Sequence, residues 1–268
     1  MLPMFRFVSV LMILMAQTML TNAQTIDHSA WDSLLKKYVH VLREGQATQV
    51  DYAGFLTQRS ELSQYLTGLS NLSSAEFDAL SNEQQLAFLI NAYNAWTVEF
   101  ILTQYPDLDS IKDLGSFFRS PWKKEFIPLL GKTRSLDDIE HNLIRGSERY
   151  KDARIHFAVN CASVGCPALR AEAYQGATLN AQLEEQTQLF LADSSRNRLA
   201  KDVLEVSSIF KWYREDFEKG WSGADSLEGF FALYAEALKL TDQQVLAIQN
   251  GKIDIEFLDY DWHLNKKP

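Results

Sequence analysis

Apolar positions along this chain recur mostly at the three- and four-residue spacing of an amphipathic helix. In residues 31–42 Trp31, Leu34, Leu35, Tyr38 and then Val41 or Leu42 share a face, and Gly45 follows as a stop. Residues 55–69 predict a second helix. Ser73 to Glu76 has the form of a capping box, and Ser81 to Gln84 repeats it. The second box opens the longest predicted helix, 82–104, which must close before Pro106.

The middle of the chain changes character. Residues 125–130 and 133–136 flank Gly131-Lys132 and predict a hairpin, with Pro128 confining its first arm to an edge. Ser135 can cap the next helix, with Asp137 and Asp138 in its first turn and Gly146 at its end. Residues 154–159 alternate and predict a buried strand that runs into Asn160-Cys161-Ala162-Ser163-Val164-Gly165-Cys166-Pro167. Helices return over 178–193, 207–217, 226–240 and 241–249, with short strands at 203–206 and 252–257. Without repeats or linkers, these elements predict one mainly helical α+β domain around a small mixed or antiparallel sheet. It would span residues 24–268, with its motif core at about 82–193; a division near residue 70 is the weaker alternative.

Composition changes this picture in three places. At 46% hydrophobic and 23% charged the chain is an ordinary globular sequence, which excludes disordered and low-complexity classes. A net charge of −9 argues against nucleic acid as a partner, because phosphate binding wants a cationic surface. Residues 1–23 read as a secretory signal peptide: Arg6 precedes a nearly unbroken apolar run, and Thr21-Asn22-Ala23 supplies the small residues of a cleavage site before Gln24. The alternative is a membrane anchor, for which the run is short. All five Met lie in this segment, and its removal takes the net charge to −10, because Arg6 is its only charged residue. The rest holds no other long apolar stretch, so an exported protein, periplasmic or extracellular and without a membrane span, is expected.

Cys161 and Cys166 are the only thiols. One reading is a disulfide closing a small loop; the other makes Cys161 a nucleophile whose thiolate and oxyanion are stabilised by turn amides. The readings compete, since an oxidised Cys161 attacks nothing. His28, His40 and His263 sit in ordinary polar surroundings, where surface or packing roles are the default. His141 follows Asp137 and Asp138 by four and three residues, with Glu140 beside it, and a carboxylate on that face can orient the ring and raise its basicity. The plainer reading is an acidic helix start followed by a His. His156 is an alternative base or a hydrogen-bonded core imidazole. Asn91 and Asn94 project three residues apart from an apolar helix interior, where an unpaired amide costs roughly 1–3 kcal/mol. They either pin a neighbouring loop or, with Asn160, donate to an oxyanion. A zinc set of Asp137, His141 and His156 or Cys161 is a weak signal, with no compact ligand motif behind it. No metal and no cofactor are expected; phosphate-binding glycine loops and Gly-x-Ser-x-Gly are absent.

Several blocks in order resemble the domain-of-unknown-function 547 family. They are residues 86–96 (Leu-Ala-Phe-Leu-Ile-Asn-Ala-Tyr-Asn-Ala-Trp), 136–141 (Leu-Asp-Asp-Ile-Glu-His), 155–163 (Ile-His-Phe-Ala-Val-Asn-Cys-Ala-Ser) and 165–169 (Gly-Cys-Pro-Ala-Leu). Residues 208–213 and 260–262 are similar to C-terminal blocks of bacterial members. The resemblance implies membership and no activity. It implies that the position of Cys166 can hold Ser in plant relatives, hence a role for Cys161 that does not need its neighbour. It also implies a small polar residue where His263 stands, which removes His263 from any triad.

Together these readings lead to an exported thiol-dependent hydrolase or acyl transferase with Cys161 as nucleophile and His141 or His156 as base. Its substrate would be a small molecule, peptide or envelope amide or ester. The competing expectation is a non-catalytic envelope module, for binding or structure, with a Cys161–Cys166 disulfide.

Overall fold

Local capping decides where the helices begin. In both predicted boxes the serine hydroxyl accepts the third helical N–H while the Glu76 or Gln84 side chain returns to the serine N–H. The structure, a computed structural model, describes residues 26–268 apart from 117 and 148. The leader expected over residues 1–23 therefore lies outside the described residues.

The N-terminal half packs α1 (Ser29–Tyr38), α2 (Tyr52–Thr57), α3 (Arg59–Asn71) and α4 (Ser74–Asp78) around α5 (Asn82–Leu102). The first helix is shorter than its periodicity predicts. Residues Val39–Leu42 leave it as strand β1, antiparallel to β2 (Ala47–Val50), with Val39 opposite Val50. The β-branched Val39 and Val41 favour this, and Val41 and Leu42 end up exposed. Helix α5 is buried on nearly all sides, so it is apolar on every face and forms the axis of the first core.

The hairpin forms as expected: β3 (Ile127–Leu129) pairs with β4 (Lys132–Arg134), and Gly131 takes φ +74° in the turn. The helix after Ser135 is π-wound over Asp138–Arg145, with Gly146 N–H bonded to the His141 carbonyl five residues back at 2.8 Å.

The strand predicted over 154–159 does not form. Ala153–Phe157 is instead a 3₁₀ turn capped by Asp152, whose carboxylate accepts the Arg154 N–H at 2.9 Å. All five of its residues are buried, so the apolar alternation had no solvent face to report. After α6 (Leu179–Ala192), β5 (Arg198–Ala200) pairs antiparallel with β6 (Val203–Ser207). The helix expected over 207–217 breaks at Tyr213 into α7 (Ile209–Trp212) and α8 (Arg214–Phe217). Then come α9 (Leu227–Leu233), α10 (Asp242–Gln249) and β7 (Asp254–Leu258), which joins β6 in parallel. The result is α+β: helices with two hairpins and one three-stranded mixed sheet. A second apolar cluster, rich in Phe157, Phe190, Phe210, Phe217 and Phe230, lies against this sheet. Among the described residues no helix is long and apolar enough to cross a membrane.

The C-terminal strand of chain after β7 ties these parts together. Gly165 and Val164 donate to the carbonyls of Asp261 and His263, Asn265 donates to Ala162, and Val50 donates to Asn265. This strap lies along the cysteine loop and carries Tyr260 and Trp262.

Candidate active site

The loop after the 3₁₀ turn is held by asparagine amides. Asn94, on α5, donates to the Ala158 carbonyl at 2.9 Å and accepts the Asn160 N–H at 2.8 Å. Asn160 accepts the Ala162 N–H at 2.9 Å and donates to the Pro167 carbonyl at 2.7 Å. Asn91 brackets Tyr174 in the same way, donating to its carbonyl at 2.8 Å and accepting its N–H at 3.0 Å. Each of these amides thus has its donor and its acceptor on backbone groups, which is loop pinning. The oxyanion role expected of the same three residues would compete with it, and the structure gives them no place on the cavity wall.

Between the two cores is a cavity of about 240 Å³. Its wall carries Cys161, Cys166, His141, His156, Asp137, Glu140 and Ser120, together with Tyr93, Tyr213, Tyr260, Trp122, Trp212 and Trp262. Cys161 and Cys166 are joined in a disulfide with Cα atoms 6.2 Å apart. The Cys161 N–H points at the Cys166 sulfur, 2.9 Å away, and the Tyr260 hydroxyl donates to the same sulfur at 3.1 Å. Tyr260 also lies 3.3 Å from the Cys161 sulfur.

The two histidines on the wall have different partners. Nδ1 of His141 is 2.6 Å from the Arg145 guanidinium, and a guanidinium only donates, so that nitrogen accepts. Nε2 of His141 is 3.7 Å from Asp137. Asp138 turns elsewhere: it pairs with Arg134 at 2.6 Å and accepts from Asn142 at 2.7 Å. Glu140, almost fully buried, accepts the Tyr213 hydroxyl at 2.7 Å.

His156 is buried, with Nε2 2.8 Å from Asp216 on α8 and its ring stacked on Tyr213 at 4.0 Å. Among the described residues its Nδ1 is buried with no hydrogen-bond partner. Asp216 also receives Arg145 at 2.5 Å. Burial alone would raise the Asp216 carboxyl, but the bonds from His156 and Arg145 outweigh it and hold the group well below the usual carboxylate range. Burial pushes the His156 imidazole below its ordinary value, with the Asp216 bond opposing. A charged carboxylate can only accept, so the neutral imidazole carries its proton on Nε2 and keeps its lone pair on Nδ1.

Residues 77–191 match the family model described as Protein of unknown function, DUF547. This stretch, somewhat under half of the chain, is similar to that family, in line with the blocks that resemble it in the sequence. No curated protein and no solved structure matches the chain. The segment that matches DUF547 supplies Cys161, Cys166, His141, His156 and the three asparagines; Asp216, Tyr213, Tyr260 and the tryptophans Trp212 and Trp262 come from beyond it. The sequence reading missed Asp216, Tyr213 and Tyr260. Tyr213 and Tyr260 lie in the blocks 208–213 and 260–262, which say nothing of a role, and Asp216 lies outside both. Among the described residues no group of three or more His, Cys, Asp or Glu side chains is placed to hold a metal ion, so the zinc set drawn from Asp137, His141 and His156 or Cys161 is not assembled.

Proposed function

We propose that this protein is an exported thiol-dependent hydrolase or acyl transferase acting on an amide or ester, with Cys161 as nucleophile once an external dithiol has reduced its bridge to Cys166 by thiol–disulfide exchange and left as its own disulfide. The observation that carries the reading is that one cavity holds Cys161 and a buried His156 whose far nitrogen is fixed by Asp216. In this reading Cys161 serves as nucleophile, His156 as base and Asp216 as the carboxylate that orients the base.

In the reduced enzyme the Cys161 thiol gives its proton to Nδ1 of His156, and the thiolate attacks the substrate carbonyl carbon. The Tyr260 hydroxyl, beside both sulfurs, is the donor placed to stabilise the oxyanion. As the C–N or C–O bond breaks, the leaving group takes the proton from His156. Water or an acceptor nucleophile then attacks the thioester, loses a proton to His156 and releases the acyl group, returning the thiol. His141 is the less suitable base, because the Arg145 guanidinium occupies its Nδ1 lone pair. An oxidising compartment accords with the disulfide and with the apolar leader over residues 1–23.

The disulfide favours one competing reading, a non-catalytic envelope module in which the bridge only shapes the loop. Hydrolysis of 4-nitrophenyl esters, with and without a dithiol reductant, separates the two. The enzyme reading expects turnover after reduction, turnover without reductant in Cys166→Ser, and none in Cys161→Ser. No turnover in any form, with equal labelling of both variants by a thiol-directed probe, overturns it.

A further inference from the structure

The same cavity wall is rich in aromatic rings. Trp212 and Trp262 stack with centroids 5.6 Å apart, Tyr260 lies 4.5 Å from Trp262, and Trp122 meets Trp262 edge-on at 5.7 Å. Trp212 is 47% exposed, an unusual position for so large a ring, and it lines the cavity. The same cavity is lined by two carboxylates, Asp137 and Glu140, and by no Lys or Arg among the described residues. Asp137 lies 3.7 Å from the His141 ring, and Glu140 is met by the neutral Tyr213 hydroxyl. The nearby guanidinium of Arg145 is held by Asp216 and His141.

We infer that the cavity takes a substrate bearing an ammonium group, seated against Trp212 and Tyr260 and countered by Asp137 and Glu140. Aromatic faces carry negative quadrupole charge and attract cations, most strongly where water is excluded. The chain already demonstrates this on one of the rings: the Lys112 ammonium lies 3.7 Å over Trp262. The inference rests on the proposed function for its chemistry, in that the ammonium belongs to the acylated or leaving part of the amide or ester. Binding of the cation does not need the thiol, since the cavity stands with the bridge intact.

The test titrates the oxidised protein with choline and with its uncharged carbon isostere, 3,3-dimethylbutan-1-ol, at neutral pH, following tryptophan fluorescence. The expected result is saturable quenching by choline, with the isostere about tenfold weaker. Asp137→Asn and Trp212→Ala should each weaken choline about fivefold or more, with circular dichroism unchanged. Where Trp212→Ala does not fold, the choline and isostere comparison on the unaltered protein decides. Equal binding of the two probes, or saturable binding of neither, overturns the inference. Loss of cation binding alongside intact thiol-dependent ester hydrolysis sinks this inference alone, whereas cation binding without any hydrolysis after reduction sinks the catalytic reading alone.

Discussion

Nε2 of His156 lies 2.8 Å from Oδ2 of Asp216, sixty residues further along the chain, while Tyr213 stacks on the same ring. The imidazole cannot turn without losing both contacts, so its tautomer and its direction are set together. Asp216→Asn would present an amide that can donate to Nε2 and draw the proton to Nδ1. We expect thiol-dependent turnover in the reduced protein to fall about 10²–10⁴-fold, with the fold retained. Comparable rates in the variant and the unaltered protein would show that Asp216 does not orient the base.

Acid should unfold the protein in a characteristic window. His28 is buried against the Tyr65 hydroxyl at 2.7 Å, and burial pushes its pKa down to about 4. A depressed histidine binds its proton more readily in the unfolded chain. Its contribution is therefore complete above about pH 6.5 and is lost as pH falls from there toward about 4. At most about 3 kcal/mol is involved for this group. His156 acts in the same direction from about pH 6.5 downward, and Asp216 joins below about pH 4, where the unfolded carboxylate takes up its proton first. Urea unfolding across this range should show a shallower acid limb in His28→Gln; an unchanged slope would count against a buried neutral His28.

Removing the Asn94 side chain should loosen the cysteine loop. Asn94→Ala leaves the Ala158 carbonyl and the Asn160 N–H without partners in the interior. At about 1–3 kcal/mol for each buried unpaired group, we expect about 2–5 kcal/mol of destabilisation in urea unfolding. Hydrogen exchange should report lost protection at Asn160 and Ala162 in particular. Full protection there would mean that the loop is held by the disulfide and strap alone.

A methyl group at Gly165 tests the strap. A Cβ there would sit 3.0 Å from the backbone N and O of Asp261 and from the Tyr260 ring. Gly165→Ala should cost about 1–3 kcal/mol and displace Tyr260 from the two sulfurs. Faster reduction of the Cys161–Cys166 bridge is the accompanying result, because Tyr260 would no longer cover it. Unchanged stability would show that the strap yields freely.

Opening the bridge itself should matter little to stability. So short a loop corresponds to only about 2 kcal/mol of chain entropy. Reductant should therefore lower the unfolding midpoint slightly while leaving one cooperative transition. Collapse of the fold on reduction would assign the disulfide a structural role.

Features encoded by neighbours were legible in the sequence. The capping boxes at Ser73 and Ser81 sit where the residue types place them, as does the turn at Gly131, because each is satisfied within four or five residues. Two Asn on the apolar α5 were conspicuous because buried amides demand partners. The errors fall where context overrides pattern. Residues 154–159 alternate like a strand, yet Ala153–Phe157 is buried throughout and winds as a 3₁₀ turn. Val39–Leu42 continues the helical spacing of α1, yet it pairs with β2.

The chemistry divides the same way. By itself the sequence determined which groups were available: two thiols five residues apart, a histidine among acids, and amides inside an apolar helix. Only the tertiary structure decided which of them meet. Asp216 reaches His156, and Tyr260 reaches the sulfurs, through long-range packing of α8 and the C-terminal strap. The spacing of residues along a chain carries no information about contacts closed by folding over tens of residues.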